Sequence, residues 1–126
     1  MRHTILLFLL SALALLASCG NLACDIRVSR FSTDVGHVNV SDTAWARYRI
    51  RNVGSDTITL DLLPECDCTV VSPEHMVLLP GQRATATVGY APEGNGEFHK
   101  YVFVEQSGSD TFFTLEIKGA VVCKNN

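Results

Sequence analysis

A chain of 126 residues with a formal charge of −3 is sized for one domain. It carries no basic excess to neutralise a phosphate backbone, which excludes nucleic acid as an expected partner. Five cysteines point to an oxidising compartment, where disulfides persist.

The first element in chain order is a leader. Arg2 and His3 precede an apolar stretch from Ile5 to Leu16, broken only by Ser11, and the stretch ends in Leu16-Ala17-Ser18-Cys19. That layout predicts a signal peptide over residues 1 to 18. The run is too short for a permanent span, which needs roughly 20 apolar residues. A plain leader cut near Ala17 or Ser18 would leave Cys19 an ordinary thiol, but a Leu-Ala-Ser-Cys ending against the apolar run favours lipidation of Cys19. Its sulfur would carry a diacylglycerol and its amine an acyl chain such as palmitate, and two or more chains hold a protein at a membrane. Cleavage removes Arg2 and no acid, leaving 9 basic and 13 acidic side chains, a formal charge of −4. Residues 19 to 25 read as a lipid-anchored tether, and residues 26 to 123 as the folded domain, long enough to bury one core.

From residue 26 onward short alternating runs are separated by turn residues, with no competing helical period. Tyr48 and Ile50 alternate with Arg47, Arg49 and Arg51; Ile58, Leu60 and Leu62 alternate with Thr57, Thr59 and Asp61. Ala84, Ala86, Val88 and Tyr90 form one face of a later run, and Phe113, Leu115 and Ile117 one face of the last. Turn signals fall at Asp34-Val35-Gly36, Gly54-Ser55-Asp56, Pro64, Ser72-Pro73, Pro80-Gly81, 92 to 96 and 107 to 110. The alternation predicts strands near 26–32, 44–52, 57–63, 67–71, 83–90, 99–105 and 111–120. Seven short strands in this rhythm predict an all-β, immunoglobulin-like β-sandwich.

Pro64-Glu65-Cys66-Asp67-Cys68-Thr69-Val70 resembles the Cys-Gly-Cys-Thr hallmark of a bacterial domain of unknown function, the DUF1573 family. Asp34-Val35-Gly36-His37-Val38, Arg51-Asn52-Val53-Gly54, Leu79-Pro80-Gly81-Gln82, Gly96-Glu97-Phe98-His99-Lys100 and Ile117-Lys118-Gly119 fit the same family, so the likeness covers roughly residues 26 to 121. The resemblance implies an immunoglobulin-type domain related in shape to hydin-like and major-sperm-protein modules, often found in lipoproteins of Bacteroidetes-like bacteria, and it implies no activity. Asp67 stands where the hallmark has Gly. If that position needs a positive φ, Asp tolerates it less freely than Gly does.

Cys66 and Cys68 are the most informative residues of the domain. On an extended chain they would project from one face with α-carbons roughly 6.6 Å apart, at about 3.3 Å of rise per residue. That is the upper limit for a disulfide, so a direct bridge requires a bend. In an immunoglobulin-like topology the third and last strands run parallel and end at one pole, which predicts a bridge from Cys66 or Cys68 to Cys123 worth about 2–4 kcal/mol. Cys24 is expected at the opposite pole, without a bridge inside the domain. The competing expectation is a soft-metal or redox site at Cys66 and Cys68, joined by Cys123 or His75.

Trp45, Arg47, Arg49 and Arg51 share one strand face. Such a face is ordinarily solvated and guards against edge pairing; as a site it would be a cationic stripe for an anionic glycan or lipid head group, with Trp45 as a stacking surface. His37, His75 and His99 fall near turns without metal spacing, and no nucleophile elbow, zinc-protease, phosphate-loop or dinucleotide motif occurs. The expected function is therefore non-enzymatic: a lipid-anchored envelope module that binds an envelope protein or glycan and needs no cofactor. The rival is a metal-binding or thiol-redox lipoprotein. Gly20 through Asp25 hold no acidic run, so the periplasmic side of the outer membrane is the expected location.

Overall fold

The structure, a computed structural model, describes residues 25–123. The leader, Cys19, most of the tether with Cys24, and Lys124 to Asn126 lie outside the described residues. Nine strands form: β1 (Ile26–Val28), β2 (Ser32–Asn39), β3 (Ala44–Asn52), β4 (Ile58–Pro64), β5 (Thr69–Ser72), β6 (His75–Leu78), β7 (Arg83–Tyr90), β8 (Gly96–Gln106) and β9 (Phe112–Val122). They build a four-stranded sheet, ordered β1-β3-β7-β5, and a five-stranded sheet, ordered β2-β9-β8-β4-β6. The all-β sandwich anticipated from the alternation is present, with two more strands than the seven expected.

β3 shows why the alternation was decisive. Ala44, Ala46, Tyr48, Ile50 and Asn52 are buried while Trp45, Arg47, Arg49 and Arg51 are exposed, because a strand sends successive side chains to opposite faces. The inward residues of both sheets meet in one core, where Tyr48, Ile50, Leu60, Leu62, Val102, Val104, Leu115 and Ile117 are essentially inaccessible. Burial raises the Tyr48 phenol above its ordinary pKa. Its hydroxyl donates to the main-chain oxygen of Glu116 and ties β3 to β9 across the sandwich.

The predicted 26–32 strand is cut short at Val28, and a strand the sequence reading did not assign, β2, begins at Ser32. β1 pairs with β3 in one sheet, while β2 crosses over and pairs parallel with β9 in the other. The register of β2 shifts between Asp34 and His37, where Gly36 adopts a φ of 73° and Asp34 Oδ1 accepts from the Gly36 N–H at 2.9 Å. The Asp-Val-Gly turn signal is therefore a bulge inside a strand, the other structural use of these residues. Among the described residues all nine strands and every core residue lie between Ile26 and Val122, within the chain from Asp25 onward.

Buried Asn52 closes the end of β3. Its side-chain amide donates to Asp56 O at 2.7 Å and Leu78 O at 2.9 Å, and its Oδ1 accepts from the Gly54 N–H at 2.9 Å. One side chain thus ties the turn after β3 to the end of β6.

Candidate functional site

β4 leaves its sheet after Pro64 and enters the opposite sheet as β5 within four residues, Glu65 to Cys68. Glu65 N–H still bonds Tyr101 O on β8, and Cys68 O already accepts from the Ala91 N–H after β7. The crossing is a tight turn: Thr69 N–H donates back to Cys66 O at 3.1 Å, which folds the chain and draws the Cα atoms of Cys66 and Cys68 to 5.3 Å. That separation suits a bridge, and the two cysteines form a disulfide with each other. Thr69 is buried beneath the pair, with its Oγ1 3.5 Å from Cys66 Sγ and 3.7 Å from Cys68 Sγ. Exposed Asp67 spans the turn with a negative φ, so no left-handed residue is needed where the family hallmark has Gly.

The expected bridge to Cys123 does not form, and Cys123 is a free, exposed thiol. β4 and β9 are parallel and end at one pole as anticipated, but the lengths of the strands separate their ends. Pro64 lies opposite Val102, which lies opposite Leu115, and β9 then continues to Val122. Cys123 thereby overshoots Cys66 by about six residues, on the order of 20 Å at about 3.3 Å of rise each. His75 is also remote from the pair: it sits on β6 opposite Asp61 and is hydrogen-bonded to that carboxylate. Among the described residues no group of three or more His, Cys, Asp or Glu side chains converges to hold a metal.

Trp45, Arg47, Arg49 and Arg51 do share the outer face of the four-stranded sheet, but Trp45 and Arg51 stand at its opposite ends, six positions and on the order of 20 Å apart. Trp45 lies over Gly89 of β7, next to Val70 of β5. At the far end the register adds two arginines that the sequence reading did not include: Arg27 pairs with Arg51, and Arg51 with Arg83. The alternation around buried Ile26 was the available signal for Arg27.

The outer face of the five-stranded sheet differs in character. Leu63 and Phe103 are direct cross-strand neighbours and both are exposed, with Phe112 and Tyr101 diagonal to them. Beside them Glu116 accepts from Ser32 Oγ at 2.6 Å and approaches His99 Nδ1 at 3.3 Å. Hydrogen bonds from Ser32 first, then Tyr101 and His99, hold the Glu116 carboxyl below the usual glutamate range, while the bond to Glu116 pushes the Tyr101 phenol up.

Two open sheets, the parallel β2–β9 pair and the chain's passage from one sheet to the other between β1 and β2 define an immunoglobulin-like β-sandwich. A PapD-like domain of human CEP192 superposes with a TM-score of 0.72 at 11% identity, covering 86% of this chain and 93% of that one. A protein of unknown function from Porphyromonas gingivalis W83 gives 0.64 at 17% identity, over 80% of this chain and 50% of that one. The periplasmic chaperone SfaE gives 0.57 at 10%, over 79% and 58% respectively. At these identities the likeness is one of fold. No curated protein matches the sequence. Residues 26–121 match the family model described as protein of unknown function (DUF1573), and the chain belongs to that family.

Proposed function

We propose that the protein is a lipid-anchored, non-enzymatic binding module of the bacterial envelope, held by Cys19 on the periplasmic side of the outer membrane. The observation that carries the binding role is the exposed pair Leu63 and Phe103, adjacent across β4 and β8 and flanked by Phe112 on β9. Large apolar side chains grouped on one sheet face mark a surface completed by a partner. The partner is an envelope protein whose apolar side chains cover that group. The periplasmic chaperone SfaE shares the shape, an analogy of fold alone.

Two measurements test this reading. Mass spectrometry of the mature amino terminus is expected to find Cys19 bearing acyl chains; a bare thiol refutes the anchor. A photo-reactive amino acid in place of Phe103 is expected to give discrete protein adducts in cells, and the same probe in place of Thr85, on the other sheet, none. Equal labelling from both positions, or none from Phe103, refutes the docking face.

A second reading is favoured by the half-exposed Cys66–Cys68 disulfide. The pair would exchange with a dithiol protein: a thiolate of the donor attacks one sulfur, a mixed disulfide forms, and the donor's second thiol releases two cysteine thiols here while the donor becomes the disulfide. Neither sulfur of the oxidised pair is a thiolate, so soft-metal binding would follow reduction. Trapping in cells with a thiol-alkylating agent separates the readings: a fully oxidised pair in all conditions removes the exchange role.

A further inference from the structure

We infer that Arg27, Arg49, Arg51 and Arg83 form a docking site for the phosphate head groups of an anionic bilayer. The chain is acidic overall, yet its charge is sharply sorted. The outward positions of the four-stranded sheet carry Arg27 on β1, Arg47, Arg49 and Arg51 on β3, and Arg83 on β7, with no acidic residue on that face. The nearest acidic residue along the chain, Asp25, precedes β1 at the margin of this face, with its side chain against Gly54.

The arrangement within the face is as telling as its sign. Arg27, Arg51 and Arg83 occupy one cross-strand row on three adjacent strands. Like charges directly opposite one another oppose folding, and a sheet selected for stability alone would alternate them with carboxylates. Every one of the four guanidinium-bearing residues is exposed, and the ion pairs among the described residues involve His75 and His99, not these arginines. Arg49 lies one step along the same face, where Ser29 caps its backbone: the Arg49 N–H donates to Ser29 Oγ at 3.0 Å and the Ser29 N–H to Arg49 O at 2.9 Å. The four arginines with Val28 and Ser29 line a single shallow depression. Guanidinium forks around such a depression match phosphate oxygens, which accept from two donors at once.

Position selects the bilayer over a soluble anion. Arg27 is the second residue of β1, eight positions after Cys19, and a fully extended tether of that length spans roughly 28 Å at most. The assignment of a membrane rests on the anchor at Cys19 proposed above; the affinity for anionic head groups does not. Lipid chains and basic residues together are the usual two-signal membrane attachment, in which the charges set orientation as well as strength. The arginine face would turn toward the head groups and leave Leu63 and Phe103 on the opposite sheet facing outward.

The chain from Asp25 onward, which lacks leader and lipid, tests the site independently of the anchor. Its sedimentation with phosphatidylglycerol vesicles is expected to exceed that with phosphatidylcholine vesicles at low salt and to fall as salt rises, because the attraction is screened. R27Q/R51Q/R83Q is expected to lose on the order of a hundredfold in binding, about fivefold per charge removed. R47Q, outside the depression, is expected to lose less than the roughly fivefold assigned to each charge within it. Saturating glycerol phosphate in the assay separates a free phosphate site, which it would block, from a bilayer surface, which it would not. Equal binding to both vesicle types, a triple variant that binds normally, or full competition by glycerol phosphate overturns the proposal. A bare Cys19 thiol alongside intact vesicle binding overturns the anchor alone.

Discussion

The indole of Trp45 fills the space above Gly89. A Cβ built on Gly89 would come within 2.5 Å of ring atom Cζ3 and 2.9 Å of Cε3 and Cη2, so the glycine is required by the aromatic ring, not by its own backbone angles. Trp45 and Gly89 are cross-strand partners, and the ring covers backbone that would otherwise face water. Gly89→Ala is expected to push the indole off the sheet and destabilise the domain by about 1–3 kcal/mol. Trp45 is the protein's only tryptophan, so its emission reports the displacement directly as a red shift in the folded state. An unchanged spectrum and midpoint would show that the ring does not pack there.

Asn52 satisfies three backbone groups from a fully buried position. Asn52→Ala leaves the Gly54 N–H and the carbonyls of Asp56 and Leu78 without that partner, and each buried group so stranded costs about 1–3 kcal/mol. Asn52→Asp keeps the acceptor for Gly54 but sets a carboxylate beside two carbonyl oxygens. We therefore expect both variants to lower the unfolding free energy from chemical denaturation, by about 2–4 kcal/mol for alanine. Alanine at exposed Asp56 serves as the control, with a change within about 0.5 kcal/mol.

The parts of this architecture that the sequence disclosed are those with one buried face. β3 and β7 alternate over eight or nine residues, and their boundaries were read to the residue. β6 was missed because four residues, with only Met76 and Leu78 turned inward, make too short a pattern to separate from a loop. β2 was hidden by its bulge, since Asp34 and Gly36 serve a turn and a bulge equally well. The cysteine pairing failed for a geometric reason: spacing along the chain places two residues on an extended strand, whereas the Thr69-to-Cys66 hydrogen bond bends them together. The arginine row was half legible, because Arg27 and Arg83 join Arg51 only through strand register.

The disulfide closes a ring of only three residues, so it removes little freedom from the unfolded chain. On the loop-entropy relation, that amounts to about 1.5 kcal/mol, below the about 2–4 kcal/mol expected of a clamp on the last strand. C66S/C68S is expected to remain folded, with a loss of about 1–2 kcal/mol in denaturant titration. Collapse of the fold would assign the turn a structural weight well beyond ring closure.

Glu116 is expected to contribute to the acid limit of the domain. Its carboxyl accepts from Ser32, Tyr101 and His99, and its main-chain oxygen accepts from buried Tyr48, so one residue joins β2, β3, β8 and β9. A carboxyl whose folded pKa is depressed adds stability that is fully present above the ordinary glutamate value and is lost as pH falls through the folded one. The Ser32 hydroxyl is the largest cause of that depression. Ser32→Ala should therefore raise the Glu116 midpoint in a carboxyl NMR titration and shift acid unfolding to higher pH, while leaving stability near neutral pH lowered by only about 1 kcal/mol. Glu116→Gln keeps acceptor geometry for Ser32 but removes the titration, so its stability should lose that component of the pH dependence below the glutamate range. Coincident acid transitions for wild type and Glu116→Gln would mean that other carboxylates set the limit, and that the four-strand junction is held by Tyr48 and the main chain.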